Sequence, residues 1–300
     1  MKTSILNKLT INKIKSFIYK KYFSFPTLKF LLNSKKSFIK NLYVDFWVFV
    51  SKRNLNFKIF FFNTNSNIDN KSLYLDIQEN ISYLNNSCAN ILKNNGILII
   101  ENALPKNEHS EIVKVFNNLK IKETSALRQN DFVLKYFEDI EISNFLNLNK
   151  ISNFFSKMVY GRSLKALAQF HIHQCKKIPE KIINGDNNIH IDRFLPNMKI
   201  YYSPFEITKD DAPFCYALGT HKINSDYIHY VKKAKYFSEE DSEAIKFINF
   251  RKEILCKKNT LIVALTNGFH GRKSFSTITR RQVVFLQYHK AFNKLSLLFE

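Results

Sequence analysis

The segment Asn188-Ile189-His190-Ile191-Asp192 sets an imidazole and a carboxylate two residues apart. On an extended chain alternate residues share a face, so His190 and Asp192 project together while Ile189 and Ile191 turn to the apolar side. Such a pair is two-thirds of the two-His-one-carboxylate set that grips one face of a non-haem iron(II) ion and leaves other positions open. Alone it is a weak signal, since a His and an Asp on one exposed face are common. The third donor must come from a neighbouring strand. His270 is placed to supply it, in Thr266-Asn267-Gly268-Phe269-His270-Gly271 directly after an apolar run, with glycines on both sides that let the backbone turn tightly.

Eleven residues beyond His270 stands Arg281, at the root of the apolar segment 282–288. A guanidinium there is costly unless it meets an anion, and a carboxylate offers it a bidentate, charge-assisted pair. Arg280 competes for that role, and strand parity allows only one of the two to face an interior. His171 and His173 also share a strand face, but no third ligand follows at useful spacing, so a core or supporting role is expected of them. Gln169 has the same parity and is a weaker candidate for lining a pocket. His221 reads as structural, and His109, His229 and His289 belong to no constellation.

The elements around these residues change character along the chain. Residues 87–95 have a helical pattern that stops at Gly96, a natural occupant of the left-handed position after a helix. Residues 97–100 then read as a short buried strand, and Pro105 opens another helix carrying Ile112, Val113, Val115 and Phe116. From about residue 165 strands dominate, with candidates at 164–173, 188–194, 198–203, 214–218, 260–266 and 281–288. Asp210-Asp211-Ala212-Pro213 and Gly219-Thr220 are turn signals between them. The interruption from Asp226 to Lys257 looks helical, with a capping box at Ser238 and Asp241. Many short strands with one helical insertion suggest a jelly roll or a related two-sheet barrel.

Composition limits the class. A 45% hydrophobic share with 29 Phe and 14 Tyr supports one bulky core and excludes a disordered chain. The net charge is +21, and residues 1–60 hold thirteen Lys and Arg against one acid, Asp45. That basic end could meet an anionic membrane surface, a nucleic acid or an acidic partner, although the whole chain drifts toward Lys, Asn, Ile and Phe. Among the first residues, Phe46, Trp47, Phe49 and Val50 read as a face packed on the main body rather than an interfacial patch. Cys88, Cys175, Cys215 and Cys256 show no CxxC pattern, as expected of reduced thiols in a cytosol-like compartment. No run approaches the ~20 apolar residues of a membrane span, and no secretory signal is evident. No RNP-like, zinc-finger or helix-turn-helix motif accompanies the basic end.

Taken in order, these residues resemble the phytanoyl-CoA dioxygenase family of 2-oxoglutarate oxygenases, over about Ile91 to Tyr288. Leu92-Lys93-Asn94-Asn95-Gly96-Ile97-Leu98-Ile99-Ile100 resembles the family's opening helix, glycine and strand, and His190-Ile191-Asp192 its metal motif. Lys199-Ile200-Tyr201-Tyr202, the acidic turn at 210–213 and Leu218-Gly219-Thr220-His221-Lys222 follow in the family's order. Leu218 and Thr220 stand where the family has proline and serine. His270 and the Arg281 strand come last, at a spacing that favours Arg281 over Arg280.

The resemblance implies a mainly β fold with flanking helices, a cupin-like double-stranded β-helix. Residues 86–300 would form that oxygenase domain, with a helical insertion near 224–257, after a basic, largely helical N-terminal extension over 1–85. It further implies Fe(II) held by His190, Asp192 and His270, with 2-oxoglutarate as cosubstrate gripped by Arg281 and O2 as oxidant. The expected activity is hydroxylation of a small metabolite with release of succinate and CO2. Asp192 favours that over halogenation, because halogenating relatives lack the carboxylate. The alternative is the same barrel used as a non-catalytic binding module, its basic arm touching membrane or nucleic acid. The charge balance leans toward an anionic small-molecule substrate, and a cytoplasmic location is expected.

Overall fold

The computed structural model describes residues 37–63, 68, 73–119, 127–128, 133–175, 189–192, 194–234, 244–248, 251–273 and 275–288. Residues 1–36 of the basic extension, the expected Ser238–Asp241 capping box and His289 lie outside them. In chain order the strands are β1 (Tyr74–Asp76), β2 (Ile97–Glu101), β3 (Leu127–Arg128), β4 (Val133–Ile140), β5 (Leu167–Cys175), β6 (Met198–Ser203), β7 (Phe214–Ala217), β8 (Arg251–Ile254), β9 (Thr260–Leu265), β10 (His270–Arg272) and β11 (Arg280–Gln287).

Eight of them form a large sheet in the order β1-β2-β9-β6-β11-β5-β4-β3, antiparallel except where β1 runs parallel to β2. The other three form a small sheet, β10-β7-β8, which a single bridge from His190 to His270 extends by one residue. From β5 onward the chain alternates between sheets. β5 is in the large one, His190 joins the small one, β6 returns to the large, β7 and β8 are small, β9 large, β10 small and β11 large. That alternation is the winding of a double-stranded β-helix, mainly β with flanking helices.

Strand parity divides the interior into two cores. Ile97, Ile99, Tyr201, Ile262, Ala264 and Val283 turn toward the small sheet and meet Phe214, Tyr216 and Ile254. Their neighbours Leu98, Ile100, Phe170, Ile172, Ile200, Tyr202, Val263, Val284 and Leu286 turn the other way, into a larger cluster shared with the helices. These include α1 (Ser37–Ser51), α2 (Asn86–Asn95), α3 (Lys106–Asn118), α4 (Leu146–Tyr160), α5 (Ser225–Lys233) and α6 (Ile245–Ile248). Buried Glu108 of α3 accepts the backbone N–H groups of Asn147 and Leu148 at 2.8 and 2.7 Å, so one helix caps amides that have no intrahelical partner at the start of another.

Helix α2 ends at Gly96, in the left-handed region at φ +80°, as its sequence suggests. A Cβ there would also collide with the His221 ring and the Tyr216 hydroxyl. Helix α1 corrects the reading of its aromatic cluster. Trp47 and Val50 are buried as expected, but Phe46 and Phe49 are exposed. A helix repeats every 3.6 residues, so 46 and 49 share one face and 47 and 50 another. The interruption before residue 257 holds α5 and α6 and also strand β8, whose polar Arg251-Lys252-Glu253 run hides its pairing with β7. No described helix is long and apolar enough to cross a membrane.

Candidate metal centre

The segment expected as a strand over 188–194 is not one; within the described residues only His190 pairs, through a single bridge. Its N–H donates to the His270 carbonyl and its own carbonyl accepts the His270 N–H, both at 2.8 Å, while the Asp192 N–H donates to Thr266 O at 3.0 Å. These bonds replace a continuous ladder and still aim both side chains into the barrel. His190 and His270 thus become cross-strand neighbours, with ring centroids 4.8 Å apart.

One donor atom from each of His190, Asp192 and His270 falls within 4.8 Å of the others. The Asp192 carboxylate oxygens lie 3.9 Å from His190 Nε2 and 3.5 Å from His270 Nε2. Bonds of about 2.1 Å set neighbouring donors about 3 Å apart, so a modest side-chain closure suffices for an ion. His270 Nδ1 lies 2.9 Å from the Gly268 carbonyl, which only a protonated nitrogen can satisfy. The proton is thereby fixed on Nδ1 and the Nε2 lone pair points into the site, as metal-ligating histidines require. Burial works to raise the Asp192 carboxyl, but the Lys199 ammonium 2.8 Å away outweighs it and holds the group well below the usual carboxylate range. Asp192 therefore meets a cation already ionised. The donor set fits a divalent ion with open positions.

Gly268 has a local reason: a Cβ there would overlap the Tyr216 hydroxyl, which donates to Leu265 O at 2.8 Å. Asn267 and Phe269 are tied to the β7 turn through His221 O and the Thr220 hydroxyl, so the loop carrying His270 is anchored on both flanks.

The three donors line a cavity of about 140 Å³ between the sheets. Parity settles the two arginines in space: Arg281 is 4% exposed and lines that cavity, whereas Arg280 is exposed on the outside. His171 and His173 are buried and also line it, while Gln169 does not and donates instead to Asp139 at 2.7 Å. His109 bonds the Tyr202 hydroxyl at 2.7 Å, and buried His221 bonds Lys93 O at 3.0 Å.

Two charged cavity residues were missed in the sequence. Arg272 follows His270 by two on β10, the same spacing logic as His190 and Asp192, and lies 2.6 Å from His173 Nδ1. A guanidinium only donates, so His173 Nδ1 carries the lone pair and its proton sits on Nε2. Reading Gly271-Arg272 as strand rather than turn would have found it. Lys199, on β6, places Nζ 2.8 Å from Asp192 Oδ2. Its signal was a lone charge inside the apolar run Met198–Ser203.

No family model matches the chain, and no curated protein matches it. Solved structures similar in architecture include HygX from Streptomyces hygroscopicus with nickel, 2-oxoglutarate and hygromycin B, at 11% identity over 68% of this chain and 86% of that one, TM-score 0.43. The epimerase SnoN in complex with Fe3+, alpha ketoglutarate and nogalamycin RO is 10% identical over 67% and 81%, TM-score 0.47. EctD from S. alaskensis in its apoform is 13% identical over 76% and 80%, TM-score 0.48. At these values the chemistry rests on this chain's own side chains.

Proposed function

We propose that this chain is an Fe(II)- and 2-oxoglutarate-dependent oxygenase of the phytanoyl-CoA dioxygenase type, hydroxylating a small, anionic metabolite. The observation that carries the reading is the convergence of His190, Asp192 and His270 in a cavity that also holds the buried guanidinium of Arg281. The bound iron would activate O2 as 2-oxoglutarate is oxidatively decarboxylated to succinate and CO2. The protein's share is geometric. His190 and His270 offer nitrogens, Asp192 offers an ionised carboxylate, and Arg281 would hold the distal carboxylate of the cosubstrate from the cavity wall. A barrel used only for binding has no chemical need for all four together.

The test is anaerobic addition of Fe(II) and 2-oxoglutarate to the pure protein, reading the visible charge-transfer band of the chelate. We expect a band in the wild type, none in His190→Ala, and one requiring about 30-fold more 2-oxoglutarate in Arg281→Ala. A wild type that binds no iron and shows no band sinks the oxygenase reading and leaves a binding module.

A further inference from the structure

Lys199 is a charge where the fold gives no structural reason for one. On β6 its neighbours Met198, Ile200 and Tyr202 pack toward the helices, so parity turns Lys199 to the barrel interior, near the middle of the large sheet. An ammonium taken into such a place is costly unless it meets an anion. It meets Asp192, with Nζ 2.8 Å from Oδ2, and that carboxylate is itself 3.5 Å from His270 Nε2.

We propose that Lys199 makes metal binding and 2-oxoglutarate binding depend on one another, a positioning role that rests on the oxygenase reading above. An ammonium has three donors and no lone pair, so it cannot ligate an ion. Seated on Oδ2 of Asp192, it leaves Oδ1, 3.9 Å from His190 Nε2, to the ion and adds a positive charge beside a divalent cation. Alone, that ion is disfavoured by the neighbouring like charge. The keto-acid end of 2-oxoglutarate brings a carboxylate that both the ion and the ammonium attract. Each ligand then strengthens the hold on the other, and the coupling is reciprocal by linkage.

A merely orienting partner of Asp192 would act in the opposite direction. Removing such a partner loosens the metal by about 10- to 100-fold. Removing an opposing charge leaves the metal alone bound as well as before or better, and weakens only the help that the anion gives.

The experiment titrates the full chain with Co(II), read by its visible bands, with and without saturating 2-oxoglutarate and without oxygen. In wild type we expect 2-oxoglutarate to tighten Co(II) by about tenfold or more. In Lys199→Met, Co(II) alone should bind at least as tightly as in wild type, while the gain from 2-oxoglutarate falls to about threefold or less. Lys199→Arg should restore the coupling. Thermal unfolding run beside each variant identifies any that fails to fold, with Lys199→Gln as the replacement. A Lys199→Met protein that loses Co(II) affinity without 2-oxoglutarate, or keeps the full coupling, overturns the proposal. A wild type that takes up no Co(II) overturns the oxygenase reading as well. A wild type with coupling that Lys199 does not affect overturns this proposal alone.

Discussion

On β5, β6 and β11 the even-numbered side chains Phe170, Ile172, Ile200, Tyr202, Val284 and Leu286 pack under the helices, while His171, His173, Lys199, Tyr201 and Arg281 face the cavity. The same backbone thus carries two layers, and the one facing the cavity mixes polar groups with the apolar Tyr201, Val283 and Phe285. The helix side is apolar and aromatic, with Phe170 lying 4.9 Å from Phe116 and 5.7 Å from Phe145, ring to ring. The cavity side gathers cations, imidazoles and a carboxylate, groups that lose hydration on burial and hold the fold together poorly unless paired. The difference teaches that stability and chemistry are separated by one residue of register. A slip of one position would exchange them entirely.

The largest test of that separation is Phe170→Ala on the helix side. It should cost about 3–5 kcal/mol of folding stability through the cavity left among Phe116 and Phe145. Chemical denaturation reads the loss, and Co(II) affinity of the folded protein should stay within about twofold of wild type, because sites without shared partners behave additively. A comparable fall in metal affinity would show that the two layers are mechanically coupled.

Within the cavity layer, Arg281→Gln and Arg272→Gln sharpen the comparison. On the proposed role of Arg281, its truncation should weaken 2-oxoglutarate binding by about 30-fold or more, while Arg272→Gln should change it by about fivefold or less. We expect Arg281 to carry the larger effect, since Arg272 donates to His173. The reverse order, measured by calorimetric titration of the metal-loaded protein, would move the cosubstrate's distal carboxylate to β10.

The smallest effect is expected from His221, which belongs to neither layer and packs behind the loop that carries His270. Burial first, and then the Lys222 charge, hold its imidazole well below the ordinary value of 6.5. The folded state therefore resists protonation that the unfolded chain accepts. Stability contributed by neutral His221 is complete above about pH 6.5 and declines as pH falls below it. Midpoints of denaturation between pH 7.5 and 5 should show that decline, and His221→Asn should flatten it. An unchanged slope would assign the acid sensitivity to other groups.

Much of this arrangement was legible from residue order alone. The apolar runs marked β2, β6, β9 and β11 within a residue or two, and Gly96 marked the end of α2, because burial and backbone handedness act locally. Local pattern was silent where polar residues form strands. β8 is Arg-Lys-Glu-Ile, and β10 is three residues held by its partner β7 rather than by propensity. The expected strand through His190 and Asp192 shrank to one bridge, yet both side chains reached the site, because His270 and Thr266 supply the backbone bonds that a ladder would have supplied.

What the sequence determined by itself was the inventory: a histidine and an aspartate two apart, a later histidine between glycines, and an arginine eleven residues on, each in a stretch whose apolar neighbours demand burial. Only the tertiary structure decided which of these meet. It turned Arg281 into the cavity and Arg280 out of it, added Arg272, and brought Lys199 onto Asp192. Those outcomes depend on the register between strands far apart in sequence, and pairing across two sheets sets that register, not the residues on either side of each position.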